Sequence, residues 1–211
     1  MTSRTPQELM RLFQEGDESA FRELVCRYKE PIASFAARML NDPEKGVDIA
    51  QETFIRVFTH AAEYRPMAGF TGWLYRIAHN LVINEIRRQK RQPAEAVHLG
   101  PVDPADEDRP RFELRDQNPS AEEQLLGRER SETVRRCVAA LPPKYRGAIV
   151  MKDMEGLTFE EIAQSLDCPE STVKSRVMRA REMLKRKLEP YLSGSAGELR
   201  RPRPARQTTG S

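Results

Sequence analysis

Apolar side chains in the N-terminal half of the chain recur at steps of three and four positions, the spacing of one face of an α-helix. Three such stripes begin at Phe21, Ala50 and Trp73. The letters "NDP" at 41–43 end the first helix and start the next, because aspartate caps a helix and proline suits its first turn. Helices that each carry one apolar stripe bury it against one another. Residues 1–93 are therefore predicted to form a helical bundle.

A proline-rich acidic segment separates this bundle from the rest of the chain. Residues 94–120 hold few large apolar side chains, so they cannot bury enough surface to offset the entropy that folding would cost. We predict a flexible acidic linker there, followed by a second helical domain over 121–192 and a disordered basic tail over 193–211. The fold class is all-α, with two small domains. The prolines within 93–120 are Pro93, Pro101, Pro104, Pro110 and Pro119.

The most specific local pattern is "LTFEEIAQSLDCPESTVKSRVMRAREMLKRKL", which begins at Leu157. Thr158 and Glu161 fit a capping box, in which each side chain satisfies a free amide at the start of a helix. A short turn follows, and Pro169 suits the start of the next helix. This spacing is typical of a helix-turn-helix whose second helix enters the major groove of DNA.

The second helix of this motif carries one apolar stripe, Val173, Val177 and Ala180, on an otherwise basic surface. Lysine and arginine can reach guanine acceptors or phosphates, and hydroxyls can bond bases or backbone. A solvated basic face is the competing interpretation, whereas a membrane-surface helix is disfavoured because the apolar face is thin and lacks Trp and Phe. The predicted DNA-facing residues are Ser171, Thr172, Lys174, Ser175, Arg176, Met178 and Arg179.

Two sequence blocks in the N-terminal half suggest what a DNA-binding helix-turn-helix does in this chain. "DIAQETFIRVF" at 48–58 and "GWLYRIAHNLVINEIRRQKR" at 72–91 closely resemble regions 2.2 to 2.4 of the sigma-70 initiation factors, and the helix-turn-helix with "LPPKYRGAIVMKDMEGLTFEEIA" before it resembles their region 4. With only these two domains and a short linker, the chain resembles the extracytoplasmic-function (ECF) group. The resemblance implies a factor that binds core RNA polymerase, recognises minus-35 and minus-10 promoter elements, and starts DNA melting.

By this resemblance, the helix from Asp48 docks on the clamp coiled coil of the polymerase β′ subunit, while Phe58 is expected in the core of the bundle. The β subunit, promoter DNA and an anti-sigma factor are further implied partners. The resemblance also implies that the acidic linker runs toward the RNA exit path, and a plain solvated tether is the alternative interpretation. No cofactor and no metal are expected. The residues expected to dock on the polymerase are Asp48, Gln51, Glu52 and Phe54.

Promoter opening requires a pocket for a base taken out of the duplex, because its Watson–Crick edge is hidden while stacked. The loop "EYRPMAGFTGW" at 63–73 is broken by proline and glycine and holds rings that can stack on bases. Asn80 offers a donor and an acceptor to a base edge, and by resemblance it helps form the minus-10 pocket, while cations hold phosphates. Trp73 and Tyr75 are expected in the core. The predicted minus-10 residues are Tyr64, Arg65, Phe70, Arg76, Asn80, Arg87, Arg88, Lys90 and Arg91.

Three other functions compete with this one. An enzyme is disfavoured because phosphate-loop, zinc-protease and serine-hydrolase motifs are absent, and the three histidines have no metal-ligand spacing with the three cysteines. A stand-alone regulator explains the helix-turn-helix but leaves the block at 48–58 and the aromatic loop without a purpose. A factor that docks on polymerase without reading promoters would not need the recognition helix.

The sequence also predicts where the protein works. No apolar run is long enough to span a bilayer, and the N-terminus lacks a signal-peptide pattern. The three cysteines are too few and too scattered for a disulfide framework. Cys137 and Cys168 are expected to be buried structural thiols, and a redox role is the alternative. We therefore expect a cytoplasmic protein that is not itself a membrane protein.

Overall fold

The computed structural model describes residues 4–65, 69–91 and 121–192, and every regular element within these ranges is helical. The all-α fold class predicted from periodicity is confirmed, whereas the predicted linker (94–120) and tail (193–211) lie outside the described residues. A 3-10 turn at Ala61–Glu63 follows the third helix, and a π-helical turn at Val150–Met154 follows the sixth. The helices are α1 (Pro6–Gln14), α2 (Glu18–Leu40), α3 (Pro43–Thr59), α4 (Phe70–Arg91), α5 (Ala121–Ala139), α6 (Pro143–Ile149), α7 (Phe159–Ser165) and α8 (Glu170–Leu192).

Helices α1 to α4 form the N-terminal bundle, in which α2 and α3 lie side by side. The left-handed backbone of Asn41 (φ 56°) turns the chain after α2, and the carboxylate of Asp42 caps α3 by accepting from the amide of Lys45 at 3.1 Å. Gly46 lies in the first turns of α3, where a Cβ would be 2.7 Å from the carbonyl oxygen of Ala33. A side chain there would push α3 away from α2, so glycine permits their close packing.

Helices α5 to α8 form the C-terminal bundle, and α7 and α8 are the predicted helix-turn-helix. The hydroxyl of Thr158 accepts from the amide of Glu161 at 3.1 Å, and the Glu161 carboxylate accepts from the amide of Thr158 at 2.8 Å, which confirms the predicted capping box. Asp167, in the left-handed region with φ 48°, turns the chain toward α8. Ile162 is fully buried and fixes α7 to the rest of the bundle.

The two bundles pack against each other, which the division of the sequence into separate domains does not predict. Helix α4 lies along α7, and α2 contacts α6 and the π-helical turn. The buried apolar residues of both bundles form one continuous cluster. The approach is close because Gly72 of α4 has no side chain, and the hydroxyl of Ser165 on α7 donates to the carbonyl oxygen of Gly72 at 3.0 Å.

Candidate nucleic-acid and polymerase interfaces

Helix α8 presents one apolar face and one polar face. Its stripe of Val173, Val177 and Ala180 is buried against the rest of the protein. Met178 is 61% exposed, one turn after Lys174, so the outer face offers an uncovered apolar side chain among its cations. Thr172 is half-buried. The predicted minus-35 residues that are exposed are Ser171, Lys174, Ser175, Met178 and Arg179.

Arg176, also predicted to face DNA, contacts a residue of its own bundle. Its guanidinium Nη1 lies 3.7 Å from the Sγ atom of Cys168, and the side chain is half-buried. Burial and, to a smaller extent, the charge of Arg176 lower the pKa of His79 on α4 to about 4. Because this side chain is half-buried and engaged with Cys168, it is less accessible to DNA than the exposed cations of α8, and its DNA contact stays a prediction.

Lys174 and Arg179 of α8 make weak contacts within the protein. Nζ of Lys174 is 3.2 Å from the carboxylate of Glu170 in an exposed pair, and it lies 5.6 Å from the ring centre of Phe159. A hydrogen bond with Arg179 lowers the pKa of the Tyr145 hydroxyl. Exposed pairs of this kind contribute little to stability, so Lys174 and Arg179 can exchange these partners for a phosphate or a base.

The solvent face of α4 is basic along its C-terminal half. Arg88 pairs with Glu85 through two hydrogen bonds, at 2.8 and 2.9 Å, and the hydrogen bond from Arg88 holds the pKa of the Glu85 carboxyl below its usual range. A shallow groove on this face is lined by Asn84, Arg87, Arg88 and Arg91. The predicted minus-10 residues that are exposed are Arg65, Arg76, Asn80, Arg87, Arg88, Lys90 and Arg91.

Two aromatic residues predicted to stack on bases are buried. Tyr64 and Phe70 are 1% and 0% exposed, and their ring centres are 6.0 Å apart. The ring centres of Trp73 and Tyr64 are 5.1 Å apart, and those of Tyr28 and Phe70 are 5.5 Å apart. Burial of large rings is strongly favourable in a small bundle, and it raises the pKa of Tyr64. The stacking role does not fit this arrangement, in which the two rings anchor the ends of a loop whose residues 66–68 lie outside the described part.

The predicted polymerase-docking residues lie along α3. Asp48 and Gln51 are exposed, and Glu52 is half-buried in an ion pair of 2.8 Å with Arg56. Phe54 is only 7% exposed, so it contributes to the floor of this surface and to the core of the bundle. Polar side chains thus lie on one side of α3, beside the buried Phe54.

An apolar groove between α2 and α3 lies beside these residues. Phe58, predicted to fill the core, is 57% exposed, and Ile55 is 60% exposed. The ring of Phe58 packs 5.4 Å from those of Phe13 and Phe21, but it lies in the last turn of α3, where neighbours cover one side of the ring only. The prediction that Phe58 lies in the core is therefore wrong, and the sequence analysis did not identify Ile55 as a surface residue. The groove is lined by Phe21, Val25, Lys29, Gln51, Phe54, Ile55, Phe58 and Thr59.

Several side chains among the described residues are of types that can ligate metal ions. No group of His, Cys, Asp or Glu side chains there is arranged to hold a metal ion. Of the helices described, none combines the length and the apolar character needed to cross a bilayer. The three cysteines are free: Cys137 is buried, Cys168 is half-buried and Cys26 is exposed.

Comparison with known proteins matches both bundles. A family model for sigma-70 region 2 matches residues 24–92, and one for sigma-70 region 4 matches residues 131–184. The chain is 35% identical over 196 residues to the RNA polymerase sigma-H factor of Pseudomonas aeruginosa, covering 91% of this chain and 98% of that protein. It is 34% and 37% identical to the ECF RNA polymerase sigma-E factors of Haemophilus influenzae and Escherichia coli, covering 89% of this chain and 97% and 96% of those proteins.

Two solved structures share the fold at lower sequence identity. CnrH, in complex with the cytosolic domain of CnrY, has a TM-score of 0.62 and 22% identity, covering 87% of this chain and 97% of that one. The sigma factor RpoE from Bartonella quintana, in complex with the anti-sigma factor NepR, has a TM-score of 0.60 and 22% identity, covering 80% and 96%. At this identity the likeness concerns the fold.

A basic helix-turn-helix on one bundle, with a basic face and an apolar groove on the other, defines a DNA-binding transcription factor that also has a protein-docking surface. Both characteristic regions match family models, and the relatives align over nearly their whole length. The chain belongs to the extracytoplasmic-function group of the sigma-70 family. It is a transcription initiation factor that binds core RNA polymerase, as predicted, and not a stand-alone regulator; sigma factors are not enzymes.

Proposed function

We propose that core RNA polymerase docks on the groove between α2 and α3, and that α4 and α8 then contact the minus-10 and minus-35 elements of one promoter. The observation that carries this proposal is the exposure of Phe58 and Ile55 beside Asp48 and Gln51. Apolar side chains left in water beside a polar rim are typical of a protein-binding surface. The β′ clamp coiled coil implied by the resemblance can lay apolar side chains into such a groove.

The exposed face of α8 supports recognition of duplex DNA at the minus-35 element. Lys174 and Arg179 can reach guanine acceptors or phosphates, and Met178 can contact an apolar base edge. Ser171 and Ser175 add hydroxyls on the same side. Arg176 is left out of this set, since it is half-buried and contacts Cys168.

The exposed face of α4 supports contact with the minus-10 element. The amide of Asn80 can pair with the edge of a base that has left the stack, and Arg65 and Arg76 lie near it in sequence. Tyr64 and Phe70 act as packing residues that fix the loop before α4. The cations proposed to hold the phosphates are Arg87, Arg88, Lys90 and Arg91.

The proposal also covers where the protein acts and which partner inhibits it. Binding polymerase and DNA requires no cofactor and no catalytic residue, and it takes place in the cytoplasm, where polymerase meets the chromosome. CnrH and the Bartonella RpoE were solved with the cytosolic domain of CnrY and with the anti-sigma factor NepR. We propose that an anti-sigma factor also binds this chain, and the uncovered groove on α3 is a surface that such a partner can occupy.

Run-off transcription with purified core polymerase and a promoter library tests the proposal. The chain is expected to yield defined transcripts from a subset of promoters. Core polymerase that stays inactive on every promoter when the chain is added would contradict it.

A pair of matched variants tests the docking surface. Burying a phenylalanine side chain contributes about 1.5–3 kcal/mol, so Phe58→Ser is expected to weaken the binding of core polymerase by roughly tenfold or more. Tyr191→Ser, at the end of α8, is the control, because Tyr191 is also exposed, at 48%, but lies far along the chain from the groove. Equal affinities of the two variants for core polymerase would show that the groove is not part of the docking surface. The double variant Asp48→Ala/Gln51→Ala tests the polar residues beside the groove, and an unchanged affinity would exclude them from the docking surface.

A further inference from the structure

We propose that Met178 is a modification site, at which a peroxide converts the thioether to a sulfoxide and so switches off recognition of the minus-35 element. This inference rests on the proposed function of α8, because it concerns the face that is proposed to contact duplex DNA. It is carried by the exposure of Met178, by the burial of other methionines, and by the cations beside Met178 on the helix surface.

Met178 is the methionine that solvent reaches most easily in the part of the chain that the structure describes. It is 61% exposed, whereas Met154 and Met183 are half-buried. An oxidant must reach a lone pair on the sulfur atom, so exposed methionines react before covered ones. We therefore expect Met178 to be oxidised first. The described methionines that are completely buried are Met10, Met39 and Met151.

The position of Met178 on α8 places its side chain on the outer face of the helix. The neighbouring residues of the apolar stripe, Val177 and Ala180, are 2% and 0% exposed. Successive residues of an α-helix are rotated by roughly 100°, so Met178 points away from the core that Val177 helps to form. Oxidation of Met178 therefore adds a polar group to the surface and leaves the packing of α8 intact.

The reaction needs no reactant other than the peroxide. A lone pair on the sulfur attacks one oxygen of hydrogen peroxide, the O–O bond breaks, and the proton of the transferred hydroxyl joins the departing hydroxide as water. Sulfur loses two electrons, which the peroxide gains. Methionine sulfoxide reductases reverse the change by oxidising two thiols to a disulfide and releasing the oxygen as water. The modification of Met178 is therefore reversible.

The sulfoxide changes what the outer face of α8 offers to DNA. A thioether can contact the methyl group of thymine and is only a weak acceptor, whereas the sulfoxide oxygen is polar and accepts hydrogen bonds readily. Lys174 precedes Met178 by four residues, so the two side chains are neighbours on the helix surface. Its ion pair with Glu170 is exposed and easily exchanged. Oxidation therefore removes an apolar contact and turns Lys174 toward the sulfoxide oxygen.

Docking on polymerase does not depend on this position. Of the described residues that line the groove between α2 and α3, none is methionine. An oxidised chain is therefore expected to occupy core polymerase without directing it to minus-35 elements. In a mixture it competes with the unoxidised chain for polymerase.

Timed oxidation of the full chain with hydrogen peroxide, followed by peptide mass spectrometry, tests whether Met178 is the preferred site. Sulfoxide should form at Met178 several times faster than at Met154 or Met183. An excess of minus-35 duplex should slow the reaction at Met178, because bound DNA covers the outer face of α8. Equal rates at the three positions, or no protection of Met178 by the duplex, would overturn the proposal.

Binding to a minus-35 duplex tests the switch. Peroxide treatment of the wild-type chain should weaken its affinity roughly tenfold, the cost of about one lost base contact, and methionine sulfoxide reductases should restore it. Met178→Leu lacks the sulfur, so its affinity should be the same before and after treatment. Met183→Leu, on the same helix, is the matched control and should lose as much as the wild type.

The comparison within each chain separates Met178 from the thiols. Cysteines are oxidised alike in all of these chains, so an equal loss of affinity in the wild type and in Met178→Leu would overturn the switch. Met178→Gln places a polar acceptor there without any oxidant, and it should bind the duplex roughly tenfold more weakly than Met178→Leu. Equal duplex affinities of Met178→Gln and Met178→Leu would also overturn it.

A failure of the proposed function would be recognised separately. An untreated wild-type chain that does not bind the minus-35 duplex would contradict the role proposed for α8, and the switch would fail with it. A chain that binds the duplex equally well before and after complete oxidation of Met178 would contradict the switch alone.

Discussion

His79 makes the stability of the closed fold depend on pH. Its ring lies at the contact between the bundles, where a Cβ on Gly147 would be 3.6 Å from Nε2, and burial lowers the pKa of His79 from 6.5 to about 4. Below pH 6.5 the unfolded chain binds a proton that the folded chain does not yet bind. Stability is therefore complete above pH 6.5, falls as pH decreases through this window, and loses no more below about pH 4. At pH 5 the loss amounts to about 2 kcal/mol.

Urea unfolding followed by far-ultraviolet circular dichroism at pH 7.5 and pH 5.0 checks this value. His79→Gln stays neutral at both pH values, so the wild type should lose about 2 kcal/mol more than the variant on acidification. The guanidinium of Arg176 acts in the same direction as burial, and the raised pKa of Glu155 contributes with the opposite sign in both proteins. Identical losses in the wild type and in His79→Gln would refute the reasoning.

Substitutions on α4, α8 and α7 separate strand opening, duplex recognition and folding. Asn80→Ala should reduce strand opening, measured by permanganate reactivity, at least tenfold while leaving duplex binding nearly unchanged; equal effects on both would contradict the assignment. Lys174→Ala with Arg179→Ala should lower duplex affinity and reduce the slope of log affinity against log salt by about 2, and an unchanged slope would exclude phosphate contacts. Ile162→Ala should cost about 2–5 kcal/mol of unfolding free energy in urea; a loss below about 1 kcal/mol would not fit its complete burial.

Local features of the fold could be predicted from the sequence because their causes are local. The capping box of Thr158 and Glu161 depends on residues three positions apart, and the buried stripe of α8 on steps of three and four. The turn at Asn41 follows from a short polar side chain that tolerates positive φ. Each of these signals lies within one helical turn or one short loop.

The features that the sequence did not predict depend on what covers a side chain. Periodicity places Phe58 on the same face of α3 as Phe54, but it does not show that the neighbouring helices leave its ring half uncovered. Conversely, the loop around Tyr64 looks exposed in sequence, although its ring packs against Trp73. The bond between Ser165 and Gly72 joins residues 93 positions apart and has no local signature.

Trp73 gives the protein an intrinsic fluorescent probe. It is the single tryptophan of the chain, half-buried against Tyr64 and Phe70, and it directly follows Gly72, the acceptor of the Ser165 hydroxyl. When α7 leaves α4, water reaches this part of the helix, and indole emission moves to longer wavelengths in water. Any separation of α7 from α4 can therefore be followed by tryptophan fluorescence without attaching a dye.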